Sequence, residues 1–302
     1  MSWSQTAGDR GGDVGSVTTD SARPTMRNAL RGGLYPRDDR PDPEETTMTA
    51  YDAPDTAPIW LDLMSSDPAT VAPFYCELFG WEVEDPNPDL GNYQNFRRNG
   101  VRVAGLMPTM SPEAPADVWT IYLRADDIAA RVAAVKEAGG QVFIGPHQVA
   151  DLGHLAVLAD PAGAVIGLWQ PGTHRGFLTR GEPGTPYWFD TLSKAYESSK
   201  TFYSEAFGWE YDELTGEMNY AQVLIGGEVL AGIMQAESML PPESPSFWQS
   251  YITVDDTAAV LDRAVELGGA VTMSATDTPY GILGSLADPF GANITVAVPP
   301  VR

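Results

Sequence analysis

Cysteine occurs once in the 302 residues, at Cys76, and histidine three times, at 147, 154 and 174. One thiol cannot close a disulfide within the chain, nor build a cysteine-rich metal site. Cys76 sits inside the helical pattern VAPFYCELFG, where a small half-buried side chain fits. Basic side chains are scarce too: 18 Lys and Arg stand against 41 Asp and Glu, a formal net charge of −23. A chain of that sign is expected to bind neither nucleic acid nor an anionic membrane. No apolar run approaches the roughly 18–20 residues of a membrane span. The N-terminus lacks the charged start and apolar stretch of a secretory leader, so the expected location is cytoplasmic.

Residues 1–55 are rich in Gly, Pro, Ser, Thr and Asp and poor in large apolar residues. Such a segment buries too little surface to offset its ordering entropy and is expected to be a disordered N-terminal extension. A second methionine, Met48, leaves open whether residues 1–47 belong to the native chain. From residue 56 onward the sequence says most things twice. PIWLDL at Pro58 returns as PYWFDT at Pro186 (186 − 58 = 128), FYCELFGWE at Phe74 as FYSEAFGWE at Phe202, and LADPAGA at Leu158 as LADPFGA at Leu286. The constant offset marks a tandem duplication, with modules at 56–172 and 185–302 and a linker at 173–184.

Each module carries a finer repeat. In module one a strand at 59–63 leads to a helix at 68–79 that stops at Gly80, and strands follow near 81–84, 93–97 and 101–107. A strand at 119–124 then precedes a helix over 126–138, with Ile128, Val132 and Val135 at helical spacing. Gly139-Gly140 ends it, and strands near 141–144, 155–158 and 165–169 complete the unit. The order βαβββ occurs twice per module. The fold class is α+β, with each module a curved, barrel-like mixed sheet around a cavity. DPAG and DPFG read as hairpin turns, with Asp160 and Asp288 as turn residues and not catalysts.

Paired βαβββ units with an FYxxxFGW helix end and a DPxG turn resemble the vicinal oxygen chelate superfamily of glyoxalases, extradiol dioxygenases and bleomycin-resistance-type binding proteins. Within it, the two-module form is similar to actinobacterial proteins often labelled hydroxylases. The resemblance spans residues 57–299 and implies fold more than reaction. In metal-using members the ligands stand on the first and last strands of each βαβββ unit. The matching positions here are Trp60, Gly105, Thr120 and Gly167 in module one, and Trp188, Gly232, Gln249 and Thr295 in module two. Gln249 alone is a usual ligand type, so neither a metal nor another cofactor is expected.

Strand alternation puts Asp62 on the face of Trp60, Asp190 on that of Trp188, Tyr122 on that of Thr120, and Tyr251 on that of Gln249. The glycines remove bulk where ligands would stand and are expected to admit a bound molecule. Trp60, Gly105, Trp119, Thr120, Gly167, Trp188, Gly232, Trp248 and Gln249 are therefore substrate-binding candidates. Asp62 and Asp190 are candidate bases, raised in pKa beside indole, with His154, Tyr122 or Tyr251 as proton partners. His154 has no ionisable counterpart, Leu283 being placed opposite it in module two, so module one is favoured. The expected function is a metal-independent tailoring enzyme doing acid–base chemistry on an aromatic or polyketide-type secondary metabolite: cyclisation, isomerisation, elimination or ring-opening. Alternatives are a non-catalytic antibiotic-binding protein and, behind it, a metal-dependent glyoxalase or dioxygenase. The partner is a small molecule, and the chain is expected either as a monomer with its modules paired internally or as a homodimer.

Overall fold

A computed structural model describes residues 51–110, 116–214 and 219–300. Module one begins with β1 (Pro58–Ser65), α1 (Pro68–Phe79), β2 (Glu82–Val83), β3 (Gln94–Arg98) and β4 (Val101–Pro108). It repeats the order with β5 (Val118–Arg124), α2 (Ile128–Glu137), β6 (Gln141–Val149), β7 (Gly153–Ala159) and β8 (Val165–Pro171). Module two runs β9 (Pro186–Ser193), α3 (Tyr196–Phe207), β10 (Glu210–Leu214), β11 (Tyr220–Ile225) and β12 (Glu228–Gln235). It closes with β13 (Phe247–Thr253), α4 (Thr257–Glu266), β14 (Ala270–Thr278), β15 (Gly281–Ala287) and β16 (Asn293–Val298).

Local chemistry sets the helix ends. Asp67 caps α1 by accepting from the Thr70 amide at 3.1 Å, Pro68 occupies the first turn, and Gly80 leaves the helix at φ +63°. Asp127 and Asp256 cap α2 and α4 in the same way. Each module forms one eight-stranded mixed sheet, ordered β2-β3-β4-β1-β5-β8-β7-β6 in module one and β10-β11-β12-β9-β13-β16-β15-β14 in module two. The two halves of each sheet join where β1 pairs antiparallel with β5, and β9 with β13. Both sheets are curved but not closed, since β2 and β6, and β10 and β14, remain edges.

The modules meet through their helices, α1 against α4 and α2 against α3. The repeated FY pair makes that contact. Phe74 reaches Gly269 of module two and Phe202 reaches Gly140 of module one. A Cβ at those glycines would stand 3.0 and 2.8 Å from the phenylalanine rings. The second glycine after each helix therefore makes room for the other module. The Tyr75 hydroxyl donates to Asp288 Oδ2 at 3.0 Å, and Tyr203 bonds Asp160 in the mirrored position. Asp160 and Asp288 are turn residues, each accepting from two amides of its own DPxG turn. They also tie one module to the other.

One boundary differs from expectation. The N-terminal extension over 1–50 lies outside the described residues. Residues 51–55 belong to the folded unit instead, with Ala53 buried and Asp55 paired with Arg131 at 2.9 Å. The 173–184 linker packs against module one. Phe177 is buried, its amide donates to Ile59 O at 2.9 Å, and its ring lies 5.5 Å from Trp60. No helix among the described residues is long and apolar enough to cross a membrane.

Candidate functional site

Sheet register brings the candidate residues of each module into two rows. Asp62 is flanked by Gly105 on β4 and Thr120 on β5, while Trp60 faces Tyr122, which in turn faces Gly167 on β8. Module two repeats this with Asp190 between Gly232 and Gln249, and Tyr251 between Trp188 and Thr295. The glycines do not open space for a ligand. A Cβ at Gly105 would overlap the Tyr93 hydroxyl, one at Gly232 the Tyr220 hydroxyl, and one at Gly167 the Tyr122 ring. A tyrosine fills each gap.

Tyr93 and Tyr220 were missed in the sequence, although the dipeptide Asn-Tyr recurs at 92–93 and 219–220. They decide how the two carboxylates differ. Asp190 accepts from Trp188 Nε1 at 2.6 Å, Tyr220 OH at 2.7 Å and Tyr251 OH at 2.8 Å, and Gln249 bonds Tyr251 from behind. Trp188 Nε1 also reaches Tyr220 OH at 2.9 Å, whereas in module one Trp60 Nε1 donates to Tyr93 OH, at 2.8 Å, and not to Asp62. Asp62 receives two long contacts, from Tyr122 OH at 3.3 Å and Tyr93 OH at 3.5 Å. Burial raises the pKa of both carboxyls and the phenols pull the other way. With its donors distant, Asp62 is pushed up to about 7. Burial and the neighbouring carboxylate push the Tyr93 phenol well above its ordinary range.

A cavity of about 410 Å³ opens in module one, lined by Leu90 and residues 84–88 of the β2–β3 loop, by Tyr93, Asn95 and Arg102, and by Leu152 and His174. Asp62, 5% exposed, stands behind Tyr93 and is not in the cavity wall. His174 comes from the linker, which sequence reasoning passed over because an extended connection carries no periodicity. It is buried edge-on against Trp60 at 4.5 Å and beside Trp169 at 5.6 Å. Burial, then the Arg102 charge, lowers its pKa to about 4, so the imidazole is neutral near pH 7. Its Nδ1 accepts from the Gly176 amide at 3.1 Å, which puts the proton on Nε2.

Three candidates stand elsewhere. His154 pairs across β7–β8 with Gln170, whose side chain accepts from the Ile128 amide at the start of α2. His154 therefore shares the helix-side face with Ala156 and Leu158 and cannot reach Asp62. Its register counterpart is Ile282, not Leu283. Trp119 and Trp248 also face the helices, donating to Tyr75 OH at 3.0 Å and Tyr203 OH at 2.8 Å. Strand alternation alone puts them opposite Thr120 and Gln249.

In module one, the positions that the family resemblance marks for metal ligands do not suit a divalent ion. Module one offers an indole, a hydroxyl and two glycines, and Tyr93 and Tyr122 already occupy the space. No group of three His, Cys, Asp or Glu among the described residues could hold a metal ion.

Family profiles match both modules: a glyoxalase-like domain over residues 59–168, and the Glyoxalase/Bleomycin resistance protein/Dioxygenase superfamily over residues 189–296. The chain belongs to that superfamily. Within it, the chain is 34% identical over 260 residues to the anthracycline biosynthesis protein DnrV of Streptomyces peucetius, covering 80% of this chain and 92% of the relative. "Putative glyoxylase CFP32" of Mycobacterium tuberculosis (strain CDC 1551 / Oshkosh) is 33% identical over 249 residues, covering 80% and 94%. Among solved structures, the Mn(II)-bound glyoxalase from Novosphingobium aromaticivorans superposes with a TM-score of 0.56 at 17% identity, over 81% of this chain and 84% of that one. At that identity the superfamily fold is shared and nothing more.

Proposed function

We propose that module one is the working site of a metal-independent tailoring enzyme, acting by acid–base chemistry on an aromatic or polyketide-type secondary metabolite. The likeness to an anthracycline biosynthesis protein supports the substrate class. The observation that carries the chemistry is the difference between the duplicated carboxylates. Asp190 is held by three short hydrogen bonds, whereas Asp62 is loosely held with a pKa of about 7. A general base is most useful when its pKa lies near the working pH.

Tyr93 lines the cavity and Asp62 does not, which supports Tyr93 as the group that meets the bound molecule. With Asp62 ionised, the Tyr93 hydroxyl takes a proton from a carbon or hydroxyl of the bound molecule while passing its own to Asp62. The reverse transfer delivers that proton to another atom of the molecule, as an isomerisation or cyclisation requires. Trp60 Nε1–H, on the Tyr93 oxygen, steadies charge that builds there during the transfer. Trp60 and Trp169 around His174 form an apolar aromatic flank to the site.

Binding without turnover is the second reading, and one observation favours it. The Trp-Asp-Tyr cluster exists in both modules and its carboxylates lie behind phenols, as a framework would. Incubating the protein with aromatic polyketides and following products by mass spectrometry separates the two. Turnover that drops by about 10²-fold or more in Asp62→Asn, with Asp190→Asn little changed, supports the enzyme. A ligand that binds, returns unchanged and keeps its affinity in both variants overturns it.

A further inference from the structure

Beside the main cavity lies a second one of about 240 Å³, whose wall includes Arg97, Arg102, His174 and Arg175. Arg102 and His174 stand in the walls of both, so the two spaces adjoin. In a chain of net charge −23 the second cavity has three guanidinium groups and no acidic residue in its wall. Glu84 holds Arg97 and Arg102 from the side of the main cavity, and Asp85 lines that cavity as well. Arg175 is exposed and makes no hydrogen bond or ion pair among the described residues. Among the described residues none accepts from His174 Nε2 either. The cluster thus offers unused donors around one small space.

An acceptor on the other side is equally unused. Asn95, 9% exposed, donates from Nδ2 to Glu84 Oε2 at 2.7 Å, which fixes its amide orientation, and its Oδ1 is buried with no hydrogen bond. A buried polar atom without a partner costs free energy unless a ligand supplies one. Module two has none of the arginine pair. Where Arg97 pairs with Arg102 across β3–β4, Leu224 pairs with Val229 across β11–β12. Duplication supplied the framework, and the charged wall belongs to one copy only.

We propose that Arg102, Arg175 and His174 form a carboxylate-binding subsite, so that the molecule taken by module one is a hydroxylated aromatic acid. Its carboxylate lies in the arginine-lined cavity, its ring against Tyr93 and Leu152, and a hydroxyl donates to Asn95 Oδ1. Guanidinium donors match a carboxylate in shape and charge. The local arginines offset the repulsion that the chain as a whole exerts on an anion. This assignment rests on module one being the ligand site but not on any reaction there.

The test is a titration of the full-length protein with 3-hydroxy-2-naphthoic acid, its methyl ester and inorganic phosphate, followed by tryptophan fluorescence and calorimetry. The acid is expected to bind about tenfold or more tightly than the ester, and Arg175→Gln to erase that difference. Arg175 is exposed, so this variant keeps its fold, which circular dichroism checks. Asn95→Leu, which removes the orphaned acceptor, should weaken the acid and the 3-hydroxy ester alike. Equal binding of acid and ester, or an unchanged preference in Arg175→Gln, overturns the subsite. Phosphate that displaces the acid at equal concentration also overturns it, showing a phosphate site instead. Asp62→Asn keeps the acid-over-ester preference whatever happens to turnover. Loss of the acid–base reading and loss of this one are therefore separate results.

Discussion

The Tyr75 hydroxyl of module one donates to Asp288 Oδ2 of module two at 3.0 Å and accepts from Trp119 Nε1 at 3.0 Å. Tyr203, Asp160 and Trp248 repeat the arrangement with the modules exchanged. Removing the hydroxyl leaves a buried carboxylate oxygen and an indole N–H without a partner. Tyr75→Phe is expected to cost about 1–3 kcal/mol in urea unfolding. In a double-mutant cycle with Asp288→Asn, the two effects should fall short of additivity. Additive losses would mean the pair does not couple the modules.

Gly105→Ala drives a methyl group into the Tyr93 hydroxyl and to 2.9 Å from Asp62 Cβ. Overpacking of this kind costs about 1–3 kcal/mol. The hydroxyl oxygen is the nearest clash and the ring carbon bearing it, at 2.5 Å, the next, so Tyr93→Phe should recover part but not all of the stability that Gly105→Ala loses. Thermal melts of the three variants decide it.

Tyr93→Phe interrupts the proposed path from the cavity to Asp62, whereas Tyr220→Phe only removes one of three donors to Asp190. Turnover should fall by about 10²-fold or more in the first and stay near wild type in the second. Ligand affinity, measured in parallel, should change little in either. Equal turnover losses in the two variants would point to general destabilisation in place of a proton path.

Asp62 is an acid whose pKa is raised by folding from 3.8 to about 7. Its contribution to stability is therefore fully present below about pH 4 and is lost as pH rises through about 7. Asp62→Asn should remove that decline, so its stability relative to wild type grows between pH 4 and 7. Activity that needs ionised Asp62 rises over the upper part of the same window. His174 has the opposite sign: its pKa is lowered to about 4, so its contribution is present above about 6.5 and is lost as pH falls through 4. Unfolding titrations of Asp62→Asn and His174→Asn against wild type resolve the two slopes, because Asp160, Asp190 and Asp288 titrate alike in all three proteins.

Much of this molecule was written in its sequence. A fixed offset of 128 residues, helix caps at Asp67 and Gly80, and period-two strands are local chemistry, and they determined the duplication and the βαβββ order. They also placed Asp62 beside Trp60 on one face, and put Trp119 on the other for a reader who counts parity strictly. Only the tertiary structure decided what stands next to Asp62. Tyr93 fills the gap above Gly105 from 12 residues earlier along the chain, His174 folds in from a connection with no periodicity, and Leu224 and Val229 face each other where module one has two arginines. Those contacts depend on side-chain reach and cross-strand register, which propensity and spacing do not encode. The physical reason is that a duplicated backbone repeats its hydrogen bonds but not its cavity, because a cavity is made by the few side chains that differ.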